Sequence, residues 1–434
     1  MTMKKSIALA VIAFGLMSGP TLRSAEPARF LIKNAAIVPM AGPAIDKGDI
    51  LIEDGKIKAL GKGLSAPEGT PVLDAAGLTA YPGIIDAFSH YGLVEIGAIA
   101  STADVRDLGK ENPELQAGWA INPHSVHFGT GRVNGTTTAL VAPSGGTFPG
   151  LAALVKMDGW TFPEMAVKPV AMSLINFPMT PRPSREGGGA QKETGDEVTS
   201  KLVDKIKDYL KEARRYLELK KLAAANPAVR PPAANPKFDA LAAVLDGTLP
   251  VIVSVEKAKD IELALKFIRE EKLKAVLRGC VQGAKVADKI KAAGIPVIID
   301  SLYQGPSEPE DGYDAPYRNV VELAKAGVPL CFSSGEDPAS GKDITYHAAK
   351  AVAFGLDRDA ALKALTIDAA RILGVADRLG SLEPGMDADL FLTTGDPLDA
   401  RADVKHIFIT GKHLDQANWW DLQYEKWKNR PEKK

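Results

Sequence analysis

The chain has 434 residues, enough for one large barrel with a smaller domain or for two to three domains. Hydrophobic residues make up 45% and charged residues 25%, a globular balance that excludes a disordered, collagen-like or multi-span membrane protein. Fifty-three Lys and Arg face fifty-four Asp and Glu, so no basic excess points to a nucleic-acid partner. Two cysteines exclude an all-thiolate zinc site and a disulfide-rich scaffold.

In chain order, residues 1–25 read as a secretory signal peptide. Lys4 and Lys5 precede an apolar run, Ile7 to Met17, that is short for a bilayer span, and small residues Ser24 and Ala25 precede polar Glu26. Cleavage after Ala25 removes Lys4, Lys5 and Arg23 and moves the net charge from −1 to −4. The mature protein is then expected to be periplasmic or secreted, with no membrane association once the signal is gone. Cys280 and Cys331 fall near the ends of different predicted strands, and the sequence leaves their pairing open.

Residues 26–82 read as short strands and turns, with Asp54-Gly55 as a hairpin signal between apolar runs. From Gly83, apolar runs alternate with helical periodicity. Ile84 to Asp86, Thr136 to Ala142, Val251 to Val255, Ala275 to Leu277, Ile295 to Ile299 and Pro329 to Phe332 are the predicted strands. This rhythm predicts a parallel sheet wrapped by helices, closed as a (β/α)8 barrel over 83–378. Residues 194–223 carry the longest helical pattern, with Val198, Leu202, Ile206, Leu210, Ala213 and Leu217 at three- and four-residue steps. The stretch 181–195 is a polar connection. Strand patterns return in Asp387 to Leu392 and Val404 to Thr410, so 379–416 is expected to join 26–82 in one accessory β-sandwich domain built from both chain ends, leaving 417–434 as a tail.

The chemistry-bearing stretch is Tyr81-Pro82-Gly83-Ile84-Ile85-Asp86-Ala87-Phe88-Ser89-His90. Its C-terminal end would enter the mouth of the barrel, where such folds keep their sites. Phe88 and His90, two apart on a strand, share a face. The stretch resembles the amidohydrolase superfamily pattern Pro-Gly-x-Ile-Asp-x-His-x-His. The closing run Gly380 to Leu390 (GSLEPGMDADL) and Leu365 to Gly374 resemble the same family. The branch most similar is the imidazolonepropionase-like amidohydrolases. The resemblance implies hydrolysis of carbon–nitrogen bonds in cyclic amides or dipeptide-like compounds, assisted by zinc or another divalent metal.

Several family ligands are replaced. The first metal-binding histidine falls on Phe88, and only the second survives, as His90. The next falls on Ser254 or Glu256, and the following one on Gly279. The last ligand, an aspartate that is also the general base, falls on Gly335, beside Glu336 and Asp337. A bridging lysine corresponds to Lys156. A catalytic zinc needs about three protein ligands and an open position for water. Two readings follow. In one, His90, Lys156 and Glu256 hold an altered metal site, with Glu336 and Asp337 as its catalytic carboxylates. In the other, no metal is held: His90 is a hydrogen-bonded barrel histidine, the carboxylates are rim charges, and the chain binds a small-molecule ligand or pairs with an intact amidohydrolase subunit. His124 and His127, three apart, are a further candidate pair; His347, His406 and His413 are expected to be structural.

Overall fold

The computed structural model describes residues 29–180, 195–300 and 302–431. The expected signal peptide, most of the polar connection 181–195 and the last three residues of the tail lie outside them.

Two sheets organise the chain. The first is made from both ends: β1 (Arg29–Ile37), β2 (Ile45–Glu53), β3 (Lys56–Gly61), β4 (Val72–Asp74) and β5 (Thr79–Pro82). It is completed by β14 (Leu390–Thr393), β15 (Val404–Ile409) and β16 (Lys412–Leu414), in the order β16-β15-β14-β5-β1-β2-β3 with β4 on β1. Asp54 and Gly55, both at positive φ, turn β2 into β3 as the Asp-Gly signal predicts. Ile32, Ile37, Ile50, Ile52, Leu390 and Phe408 fill this sheet's own core.

The second sheet is the barrel: β6 (Ile84–Ser89), β7 (Thr136–Val141), β8 (Leu151–Lys156), β9 (Ala166–Asn176), β10 (Val251–Val255), β11 (Ala275–Gly279), β12 (Val297–Ile299) and β13 (Leu330–Phe332), paired in chain order. All run parallel except β8, which is antiparallel to both β7 and β9. The architecture is thus a (β/α)8-type barrel with an accessory domain from the chain ends. Alternation sorts the strand residues. Ile252, Val276, Ile298 and Cys331 point into the barrel, while Val253, Leu277, Val297 and Phe332 pack outward against the helices. Those helices include Gly195–Ala225, Ala258–Glu271, Ala315–Lys325 and Ile344–Ala353. Both cysteines are buried, free thiols.

β6 and β13 share no ladder. A side chain joins them instead: Asp86, fully buried on β6, accepts from the Ser334 N–H at 3.0 Å and the Ser334 hydroxyl at 2.5 Å, just after β13. The Phe88 N–H donates to the same carboxylate at 3.3 Å. Helices Arg358–Leu365 and Ile367–Ile372 straddle the seam. Burial pushes the Asp86 carboxyl up to about 7, against the pull of the Ser334 donors. A carboxyl raised in the native state keeps a proton that the unfolded chain has already released, so native stability falls as pH rises through that interval. Asp86→Asn keeps an acceptor for Ser334 and removes the charge. The stability of the native protein relative to this variant is therefore expected to fall between about pH 4 and pH 7, by roughly 1.4 kcal/mol per unit of pKa displacement. Urea titrations of both proteins at several pH values measure it; a difference that stays flat with pH contradicts the assignment.

Candidate functional site

The C-terminal ends of the barrel strands place one polar layer above the apolar interior. On β10, Ser254 follows Ile252 inward. On β11, Arg278 follows Val276, Asp300 follows Ile298 after β12, and Ser333 follows Cys331 after β13. Phe88 and His90 supply the β6 side and are 0% and 3% exposed.

Arg278 sits at the centre. Its guanidinium lies over the Phe88 ring, 3.5 Å from the centroid. Nε donates to Asp300 Oδ1 at 3.1 Å and Nη2 meets Oδ2 at 2.9 Å, a two-pronged pair. Nη1 donates to Glu336 Oε1 at 3.1 Å. Ser333 Oγ donates to Asp300 at 2.6 Å and fixes the carboxylate from the other side. The Arg278 side chain is 9% exposed, Asp300 21% and Glu336 54%, so the cluster runs from a buried cation to a carboxylate half in solvent.

His90 lies against this cluster. Burial holds its pKa below the ordinary histidine value, with the Glu336 charge pulling the other way and Arg278 reinforcing the drop. Buried Nε2 of His90 has no hydrogen-bond partner among the described residues. His347, on helix Ile344–Ala353, accepts from the Leu302 N–H at Nδ1, 3.3 Å away. Its Nε2 and Ser254 Oγ are likewise buried and unpartnered. Burial brings the His347 pKa down to about 4, so its ring is neutral at physiological pH and carries its proton on Nε2.

The remaining candidates separate. Glu256 is exposed just beyond β10 and shares a small cavity with Asp300. Asp337 caps the short turn 338–343, accepting from Ala339 N–H at 3.1 Å and Ser340 Oγ at 2.8 Å, and is spent locally. Lys156 is not in the mouth. β8 runs against its neighbours, so the end that carries Lys156 faces the opposite side of the barrel. There it is buried in ion pairs with Asp387 at 3.2 Å and Asp389 at 2.5 Å, which Arg378 and Thr138 also join. The lysine read as a bridge between metals ties the barrel to the accessory sheet.

Gly279 also needs correction. It stands at φ +90°, and the inward residue of β11 is its neighbour Arg278. Gly335, at φ +81°, lies beyond the end of β13. Asp300 and Arg278 were not singled out in the sequence; the strand alternation beyond Val276 and Ile298 is the signal that places them. His127, on helix Val126–Arg132, donates from Nε2 to the Glu95 carbonyl at 2.9 Å, while His124 precedes that helix, so the two do not form a pair. His406 and His413 meet each other in the accessory sheet, ring nitrogens 3.1 Å apart. Among the described residues, no group of three or more His, Cys, Asp or Glu stands close enough to hold a metal ion.

Comparison with known proteins gives this geometry a lineage. A family model described as the amidohydrolase family matches residues 310–414. An amidohydrolase from Thermotoga maritima superposes with a TM-score of 0.78 at 25% identity, covering 89% of this chain and 99% of that one. The chain belongs to the amidohydrolase superfamily. Among curated relatives, the amidohydrolase TasK of Hapsidospora irregularis is 22% identical over 84% of this chain. A dihydroorotase of Geobacter sulfurreducens is 48% identical over 60 residues, 14% of each chain. The chain spans 39% of the length of the first and matches 14% of the second.

Removing Lys156 would leave Asp387 and Asp389 buried beside a weakened counter-charge. Lys156→Met is expected to cost about 3–5 kcal/mol of stability, the usual penalty for breaking a buried ion pair from one side. Chemical denaturation reads this loss; a change below about 1 kcal/mol, as for an exposed pair, would show that the contact is not structural.

Proposed function

We propose that this chain is an exported member of the amidohydrolase superfamily whose barrel mouth binds a small-molecule ligand and has exchanged the metal of its family for a fixed guanidinium. The family's kind is the hydrolysis of carbon–nitrogen bonds, and its imidazolonepropionase-like branch remains the nearest reading of the motifs. In this chain metal-assisted hydrolysis is impaired or lost.

The observation that carries the reading is the Arg278 guanidinium stacked on Phe88 and clamped by Asp300 and Glu336. The residues present do not fit a divalent ion. An apolar ring stands at the position of the first ligand. A permanent positive charge lies 3.5 Å from that ring's centroid and consumes the nearest carboxylates. Arginine does not deprotonate in proteins, so the site cannot relieve the repulsion toward a second cation by losing a proton. The remaining imidazole, His90, is a single ligand where about three are needed.

A different observation keeps the partner-subunit reading alongside ligand binding. The helix Trp419–Lys428 exposes Trp419, Trp420, Leu422, Tyr424 and Trp427 on the outside of the fold. An intact amidohydrolase subunit is the partner the family reading supplies, and co-purification from the native extract tests it.

Metal analysis tests the main reading. Protein purified without chelator is expected to hold far less than one transition-metal ion per chain, and Phe88→His is expected to leave hydrolysis of cyclic amides and dipeptides unrestored, because Arg278 remains. A stoichiometric ion in the native protein, or robust activity from that single change, would reject it. For export, peptide mass mapping of the periplasmic fraction is expected to find a mature N-terminus at Glu26; an intact Met1 in the cytosol contradicts it.

A further inference from the structure

A concavity of about 320 Å³ lies on the flank of the barrel, and none of Phe88, His90, Arg278, Asp300 and Glu336 lines it. It forms where helix Val126–Arg132, the turn 158–160 beyond β8, the start of β16 and the first residue of helix Trp419–Lys428 come together. That volume stands at the small end of the range for small-molecule pockets. Trp160 and Trp419 are part of its wall, and both are exposed. Each indole is braced by a neighbouring ring: Trp160 by His124, centroids 5.9 Å apart at 68°, and Trp419 by Trp420, 4.6 Å apart at 82°. The Trp160 N–H donates to Glu164 at 3.0 Å, a carboxylate that is not part of the lining. Indoles held in place yet open to solvent offer flat apolar surface to a ring of matching shape.

The charged side chains of the same lining are Arg132, Asp158 and Lys412. Lys412 Nζ donates to Asp158 Oδ2 at 2.9 Å, and Arg132 Nη1 stands 3.9 Å from Oδ1. One carboxylate thus serves two cations and leaves a positive charge unmatched. Lys412 is exposed, so water meets its other N–H groups. Arg132 is in a different position. Its side chain is only 17% exposed, and burial lowers its pKa, with Asp158 pulling the other way. Nη1 donates to the Met157 carbonyl at 2.5 Å, while Nε and Nη2 have no acceptor among the described residues. A place in the last turn of its helix accounts for a basic residue there, but not for a largely buried one with donors unused. A guanidinium is a planar fork of donors matched to the edge of a carboxylate, and this one borders a concavity with the fork part empty.

We propose that this flank pocket binds an aromatic carboxylate, its ring against Trp160 and Trp419 and its carboxylate on Arg132 and Lys412. The three features on the wall select the three parts of such a ligand. The indoles take a flat ring, the unmatched charge takes a monoanion, and the free guanidinium donors take a planar acceptor. An aliphatic acid would leave the indoles uncovered, and an uncharged ring would leave Arg132 as it is. The site stands apart from the barrel mouth and does not depend on whether the mouth holds a metal.

The test uses the full-length protein and four probes: 2-naphthoate, 2-naphthol, 2-naphthylmethylammonium and cyclohexanecarboxylate. Calorimetry follows binding. Naphthoate is expected to bind in preference to the other three, and more weakly at high salt. Trp160 and Lys412 are exposed, so Trp160→Ala and Lys412→Gln are expected to leave the melting temperature little changed. Trp160→Ala is expected to weaken naphthoate about three- to tenfold, the worth of one aromatic contact. Lys412→Gln removes the surplus charge and frees Asp158 to pair with Arg132, so it is expected to erase the preference for naphthoate over naphthol. Naphthol or naphthylmethylammonium binding as well as naphthoate would refute the anion requirement and with it the proposal. Cyclohexanecarboxylate binding equally well would refute the aromatic one to the same effect. Absence of binding by naphthoate, or naphthoate binding unchanged in both variants, likewise overturns the assignment of this pocket.

Discussion

A guanidinium held over the Phe88 ring sets the terms for everything at the mouth of this barrel. Arginine keeps its charge under any condition the fold survives, so a buried one must be matched by anions and donor-for-acceptor geometry. Asp300 provides both along one edge, and Ser333 holds Asp300 in register. Glu336 takes the remaining corner from a half-exposed position. The ring beneath accepts the cation's face. Each of these roles would be vacant or unfavourable around an ion coordinated by imidazoles, which is why Phe88 and Arg278 make sense only as a pair.

The rest of the fold keeps that cluster in place from two sides. Asp86, directly below Phe88 on β6, takes the Ser334 backbone and hydroxyl, and so holds together the two strands that share no ladder. A displacement at Ser334 would carry Ser333 with it, and through Ser333 the orientation of Asp300. On the opposite face, Lys156, Asp387, Asp389 and Arg378 fasten the accessory sheet beneath the barrel. The two ends of the barrel thus divide the work as barrels of this kind do, with chemistry above and cohesion below. The reversal of β8 is what sends Lys156 to the cohesive end.

Much of this was legible in the residues. The Val251–Val255 run is a strand over that same span, the 194–223 periodicity lies in a helix over Gly195–Ala225, and the β-rich ends join in one sheet. Apolar runs bounded by turns and a long amphipathic stripe are local signals, and they survive without knowledge of neighbours. β8 and β9 were weaker. Their Ala-rich and mixed sequences, LAALVK and AVKPVAMSLIN, carry no strict alternation, and their hairpin interrupts the strand–helix rhythm.

By itself the sequence determined the lineage, the two-sheet plan and the loss of an imidazole at Phe88, because motif, periodicity and residue identity are written along one dimension. Tertiary structure alone decided that Arg278 rather than Gly279 faces inward, that Asp300 meets it, and that Lys156 belongs to the far end of the barrel. Those outcomes depend on pleat phase and strand direction: a shift of one residue turns a side chain from the interior to the helices, and a reversed strand exchanges top for bottom. Spacing along the chain does not encode either, since both are fixed only when neighbouring strands pair.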